Sequence, residues 1–256
     1  MTNSPLQVSP LRDGRVLCLR LARPKANIID GAMIGALRDG LENAAGNHRL
    51  KALLLCAEGP HFSFGASVEE HLPDQCAAML GNLHQLVLQL VRFPVPVLVA
   101  VQGQCLGAGL ELALSGHLLF AAEGAQLGQP EIRLGVFAPA ASCLLPLRTG
   151  QMAAEDILLS GRSLSAAEGH RLGLVAAISG NPEVAALDYY DSHLAQLSAS
   201  SLRLAVRAAR TGFSAQVQER LAAIETLYLQ DLMRTQDATE GLMAFIAKRP
   251  PEWKDQ

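Results

Sequence analysis

The sequence predicts an α/β core of recurring strand and helix units followed by a helical C-terminal part. Three observations predict it. Short β-rich or continuous apolar runs alternate with amphipathic helical stretches, turn residues bound those runs, and strand signals stop after Gly180-Asn181-Pro182. The runs Val16 to Leu21, Ala52 to Cys56 and Val95 to Val101 have strand length and end in turn residues. Between the first two, Ala32 to Ala45 carries Met33, Leu37, Leu41 and Ala44 at helical spacing, and Gly46-Asn47 ends it. Cys76 to Phe93 sets Met79, Leu83, Leu86, Val87 and Leu90 on one helical face before Pro94 and Pro96 stop it. A further strand is expected through His117 to Ala121. After residue 182 the pattern is helical, with Val217, Leu221, Ile224 and Tyr228 on one stripe. These patterns divide the chain into a core at 1–195 and a helical region at 196–256, whose apolar face packs on the core or on another subunit.

With 256 residues the chain is long enough for a closed hydrophobic interior. Lys plus Arg is 21 and Asp plus Glu is 24, a formal charge of −3, too balanced for a polyanion-binding surface, so no nucleic acid partner is expected. Half the residues are hydrophobic, yet no uncharged apolar stretch reaches the roughly 18 to 20 residues of a membrane span. Met1 to Pro10 is polar and does not resemble a secretion signal, which makes the cytoplasm the expected location. The cysteines (Cys18, Cys56, Cys76, Cys105, Cys143) are odd in number and free of a CxxC pair, favouring reduced, buried thiols over disulfides or a metal site.

The most informative segment runs from Gly103 to Ala113, a small-residue turn leading into a short apolar helix that holds Glu111. Flanked by Leu110, Leu112, Ala113 and Leu114, this carboxylate must find a polar partner, be protonated or face a cavity, and burial would raise its pKa. Glu131, in Leu127-Gly128-Gln129-Pro130-Glu131-Ile132, also lies near apolar residues. The bland alternative is that Glu131 caps a helix and Glu111 is solvated at a helix edge. The glycines allow close approach to backbone N–H groups, and a helix start adds its positive end, a setting that stabilises a developing oxyanion. A second candidate donor lies in Phe62-Ser63-Phe64-Gly65-Ala66-Ser67-Val68; two donors from separate loops would form a hole. Neither a dinucleotide-binding GxGxxG unit nor a phosphate loop is present.

The ordered motifs Arg23-Pro24-Lys25-Ala26-Asn27, Phe64-Gly65-Ala66, Gly107-Ala108-Gly109-Leu110-Glu111, Gly128-Gln129-Pro130-Glu131 and Glu240-Gly241-Leu242-Met243-Ala244-Phe245 resemble the crotonase, or enoyl-CoA hydratase/isomerase, family over nearly the whole chain. The resemblance implies a crotonase-like spiral core and a CoA thioester substrate, with no cofactor besides the CoA that the substrate carries. It implies Ala66 and Ala108 N–H as oxyanion-hole donors and Glu111 and Glu131 as hydratase carboxylates. The expected division is Glu131 for proton delivery and Glu111 for water activation or positioning, with sharing of the two roles as the alternative. Lys25, Ala26, Phe64, Ser67 and Val68 join Ala66 and Ala108 as expected substrate contacts. A homotrimer or dimer of trimers is implied, with the C-terminal helices contributing to assembly. Two stretches depart from common family patterns: Ser67 stands where Asp is common, and Pro139-Ala140-Ala141-Ser142 replaces a Gly-rich segment. These departures resemble family members that hydrate a conjugated cyclic dienoyl-CoA in anaerobic aromatic-ring degradation. Acyclic hydration or isomerisation, and noncatalytic acyl-CoA binding, are the competing functions. His61 and His71 read as structural, Cys105 as packing, and Ser63, Ser67 and Ser142 lack a hydrolase context.

Overall fold

Two strands, β1 (Leu6–Leu11) and β2 (Val16–Leu21), form an antiparallel hairpin with Leu6 opposite Leu21 and Leu11 opposite Val16. They belong to a computed structural model that describes residues 4–23 and 25–256; Met1–Asn3 of the polar N-terminal stretch and Pro24 of the Arg23–Asn27 motif lie outside the described residues. Helix α1 (Gly31–Ala45) begins at Asp30, whose side chain accepts the Met33 N–H, and leads to β3 (Ala52–Ala57), parallel to β2. Helix α2 (Pro73–Val91) starts with proline at its first position, where no helical N–H is needed, and leads to β4 (Val97–Val101). The predicted strand at Val95 thus begins two residues later, past Pro96. Strands β3 and β4 are buried at every residue, which is why they read as unbroken apolar runs rather than alternating ones.

A second, smaller sheet carries the chemistry. Strand β5 (Gln104–Leu106) precedes helix α3 (Ala108–Ser115), and after β6 (Leu118–Ala122) the chain returns as β7 (Gln126–Gly128). β5 and β7 pair in parallel, with Leu106 opposite Gly128. Helices α4 (Pro139–Thr149) and α5 (Gln151–Ser160) follow, then β8 (Ser163–Ser165), antiparallel to β7. Helix α6 (Ala166–Arg171) opens with a Ser165–Glu168 capping box and leads to β9 (Ala177–Ser179). The large sheet has the order β1-β2-β3-β4-β6-β9, parallel from β2 onward, and the small one β5-β7-β8.

From Pro182 the described chain is helical, as the loss of strand signals predicts: α7 (Pro182–Tyr189), α8 (Ala199–Gln230) and α9 (Gln236–Ile246). Helix α8 packs on α2 and α4 and buries Val217, Leu221 and Tyr228 in the main core, so its apolar stripe is used within the chain. The C-terminal end of α3 is clamped by two guanidiniums, those of the buried Arg210 and the half-buried Arg148. Arg148 donates to the Leu114 carbonyl at 2.8 Å and Arg210 to the Ser115 carbonyl at 3.1 Å, and both also donate to the Gly116 carbonyl. The two guanidinium carbons lie 4.9 and 4.8 Å from the Phe213 ring centre.

Candidate active site

The site is assembled by hydrogen bonds that bring two loops against each other. After β3 the chain runs beside β5: Ser63 N–H donates to the Gln104 carbonyl, and Leu106 N–H donates to the Ser63 carbonyl, each at 3.0 Å. Asn27, almost fully buried, accepts the Arg23 N–H and donates to the Glu58 and His61 carbonyls, bracing this loop from below. Ser63 Oγ donates to the Asn27 carbonyl and accepts the Gly65 N–H. The sequence shows Asn27 only as the last residue of the Arg23–Asn27 motif, without a role, because its partners at Glu58 and His61 lie more than thirty residues away.

Two glycines then allow the approach. Gly65 has φ of +106°, and a β-carbon on it would stand 3.2 Å from the Leu106 carbonyl oxygen and 3.7 Å from the Ala108 nitrogen. The residues immediately before the two candidate donors therefore touch. Neither donor N–H finds a backbone acceptor among the described residues. Ala108 is the first residue of α3, where helical N–H groups are orphaned, and the bridge to Ile29 uses the Gly65 carbonyl rather than the Ala66 N–H. Gly107, at φ +52°, marks the second close approach, because a β-carbon there would lie 2.6 Å from Glu131 Oε1.

Both carboxylates hang from the ends of paired strands. Glu111 follows β5 by one turn of α3 and Glu131 follows β7 in the turn Pro130–Leu134, so the pairing of Leu106 with Gly128 closes the twenty-residue step between them. Gly107 N–H donates to the Gly128 carbonyl at 3.0 Å, locking the two strand ends together. Glu111 is 2 % exposed and accepts the Ala141 N–H at 2.9 Å. Burial pushes its pKa up to about 7 against the opposing pull of the Ala141 and Ala140 amides. Glu131 is partly buried and is pushed up to about 8, first by desolvation and then by the neighbouring Glu111 charge. The Gln129 side-chain amide lies 3.0 and 3.1 Å from the two Glu131 oxygens and, with its nitrogen facing them, donates to both. Glu111 is thus not solvated at a helix edge.

The carboxylates and donors share one cavity of about 660 Å³. Ala66, Ala108, Glu111 and Glu131 line it together with Phe64, Ser67 and Val68. Lys25 and Ala26 are outside its lining; Lys25 is exposed, and the Ala26 carbonyl accepts the Phe64 N–H at 2.9 Å. Pro139-Ala140-Ala141 proves to be the first turn of α4, which serves the site by holding Glu111. His71, Leu80, Leu83, Phe137, Leu242 and Phe245 also line the cavity. Sequence reasoning assigned Leu83 to a core face, and helical periodicity does not distinguish a wall facing a cavity from one facing other side chains.

The pattern of the enoyl-CoA hydratase/isomerase family matches residues 12–256. The chain belongs to this family. Within it, the chain is 59% identical over 254 residues to the cyclohexa-1,5-dienecarbonyl-CoA hydratase of Thauera aromatica, covering 99% of this chain and 98% of that one. It is 34% identical over 249 residues to the 2,3-dehydroadipyl-CoA hydratase of Escherichia coli (strain K12), covering 95% and 96% of the two chains. The crystal structure of an enoyl-CoA hydratase from Mycobacterium avium subsp. paratuberculosis K-10 superposes with a TM-score of 0.85 at 25% identity, covering 98% of this chain and 99% of that one. The crotonase-like architecture expected from the motifs is therefore the observed one. Hydratases of this family need no cofactor beyond the CoA thioester they act on.

Proposed function

We infer that this chain is a hydro-lyase that adds water to a conjugated cyclic dienoyl-CoA thioester, cyclohexa-1,5-diene-1-carbonyl-CoA, in the degradation of aromatic compounds. The contact between the Gly65 and Gly107 loops carries the chemistry, because it sets two N–H donors that have no backbone acceptor among the described residues in one cavity with the buried Glu111 and the partly buried Glu131. The 59% identity over nearly the full chain supports the ring substrate.

In this reaction the thioester oxygen lies between the Ala66 and Ala108 amides. Charge moving onto that oxygen is the costly event, and preorganised donors lower it by about 3 to 4 kcal/mol each. Glu111 and Glu131 hold and orient one water. As its oxygen bonds to the β carbon, a carboxylate takes its proton and the electron pair delocalises into a dienolate. Protonation at the vinylogous carbon completes a 1,4-hydration. Raised pKa values suit the pair, since one member keeps a proton near neutrality while the other accepts one. Phe64, Ser67 and Val68 contact the acyl-CoA from the cavity wall, and Lys25 and Ala26 contact its CoA portion outside.

The test is a mass-resolved assay of the dienoyl-CoA in isotopic water, run beside linear enoyl-CoA thioesters. One oxygen and one solvent proton on the ring, with the ring substrate preferred, is the expected result. Preference for linear thioesters would assign acyclic hydration or isomerisation, and binding without water addition a noncatalytic role.

The same proposal includes assembly as a homotrimer or dimer of trimers through the helical region 196–256, beyond a catalytic core at 1–195. The exposed side chains of Leu204 and Leu227 on α8 and Phe245 on α9 support it. Light scattering at several concentrations tests it. A cytoplasmic setting fits the five buried, free thiols.

A further inference from the structure

Hydration of a cyclic dienoyl thioester has two proton events at separate places. The water loses a proton beside the β carbon, and the dienolate gains one at the vinylogous carbon on the far side of the ring. With the thioester oxygen fixed between two amides, the ring does not turn to present both carbons to one carboxylate. A group on another wall suits the second event.

The cavity wall offers such a group. Besides Glu111 and Glu131, the polar side chains lining it among the described residues are Ser67, Glu69, His71 and Arg133. Ser67 Oγ donates to Glu69 at 3.0 Å, and Arg133 is exposed. His71 is half-buried, and its Nδ1 lies 2.8 Å from the Ser67 carbonyl oxygen. A carbonyl only accepts, so Nδ1 carries the hydrogen and Nε2 holds a lone pair. No protein group pairs with Nε2 among the described residues. Desolvation lowers the pKa of the imidazole, opposed by the Ser67 carbonyl and by the charge of Glu70, both of which favour the imidazolium. The same cavity has apolar walls from α2 (Leu80, Leu83), from the segment before α4 (Phe137) and from α9 (Leu242, Phe245). The carbonyl that aims the ring belongs to the residue after Ala66, so one loop supplies both an oxyanion donor and an oriented base.

We propose that His71 is the acid–base group for the distal ring carbon, exchanging the second proton of 1,4-hydration through Nε2. The proposal rests on the dienoyl-CoA function above and moves proton delivery to carbon from Glu131 to His71. In dehydration the Nε2 lone pair takes the proton from the distal C–H bond, whose electrons form the dienolate. The C–O bond then breaks, and the hydroxyl leaves as water with the proton of the Glu131 carboxyl group. Hydration reverses these steps: the Glu131 carboxylate takes a proton from water, and the imidazolium gives its proton to the distal carbon. Each hydration leaves the proton on Glu131 and the imidazole neutral, and exchange through solvent returns it to His71 before the next turnover, so no co-reactant is required.

The experiment compares wild type, His71→Asn and His71→Phe on cyclohexa-1,5-diene-1-carbonyl-CoA in deuterium oxide. Asn keeps a donor towards the Ser67 carbonyl and Phe keeps the bulk. Expected is a fall in kcat of about 100-fold or more in both variants, with KM within roughly threefold and melting unchanged. Deuterium exchange into the distal carbon of the product falls in parallel. Turnover of His71→Asn within about threefold of wild type, or distal-carbon exchange persisting at the wild-type rate, overturns the proposal and leaves that proton with Glu131. A raised KM with lowered melting at unchanged kcat also overturns it, in favour of a structural role. A wild-type enzyme inert towards the ring substrate overturns the substrate assignment itself, a failure distinct from active wild type with active variants.

Discussion

The Glu111 carboxylate accepts the Ala141 backbone N–H at 2.9 Å, which fastens the first buried acid to the first turn of α4. The helix start offers that acid a hydrogen-bond donor and positive potential, yet burial dominates and its pKa is raised to about 7. A carboxyl group held in place but left close to neutral is suited to exchanging protons with a water.

Separate changes of Glu111→Gln and Glu131→Gln keep shape and remove the titrating group. Each is expected to lower turnover of the dienoyl-CoA by about 100-fold to 10,000-fold, measured on purified enzyme. Hydration near the wild-type rate in both variants would remove the two acids from the mechanism.

Gly107→Ala tests the approach of Glu131 to the backbone. The new β-carbon would meet Glu131 Oε1 at 2.6 Å, at a φ of +52° that also disfavours alanine. Displacing the carboxylate by about 1 Å is expected to cost on the order of 100-fold in kcat/KM. Unchanged kinetics in a folded variant would show that Glu131 does not need this position.

The two acids also make stability depend on pH, with a definite sign. Their folded pKa values, about 7 and about 8, lie above the unfolded carboxylate value, so the folded chain holds more protons between them. This contribution is full below the unfolded pKa and is lost as pH rises through the folded values, by a few kcal/mol on the order of magnitude. Urea midpoints of wild type should therefore fall from about pH 5 to pH 8 more than those of the double Gln variant. Parallel curves would contradict the raised values.

Arg210→Met leaves carbonyls at the end of α3 with fewer donors. A loss of about 1 to 3 kcal/mol in urea unfolding is expected. Activity should fall as well, because the opposite end of the same helix presents the Ala108 N–H and Glu111. Loss of stability with full activity would show that the clamp does not position the site.

How much was legible follows from element size and burial. β3 and β4 announce themselves because both faces are buried, and every residue is apolar or small. β1 does not, because it is an edge strand with Pro10 inside it and most of its residues exposed. β5, β7 and β8 have three residues each, too few for any periodicity, yet their pairing sets the acid spacing. The four central site residues were visible as types in small-residue loops. Their convergence was not, because it depends on long-range contacts such as Ser63 with Cys105. His71 carries no pattern at all; only its place on the cavity wall separates it from a structural histidine.

Because Leu106 and Gly128 are locked side by side, the gap between the two acids is indifferent to the length of chain connecting them. Residues inserted near Glu123-Gly124, at the exposed tip before β7, would lengthen the excursion without spreading the carboxylates. That tip is a place where descendants of this chain are free to acquire new surface features while the proton-handling pair stays in register.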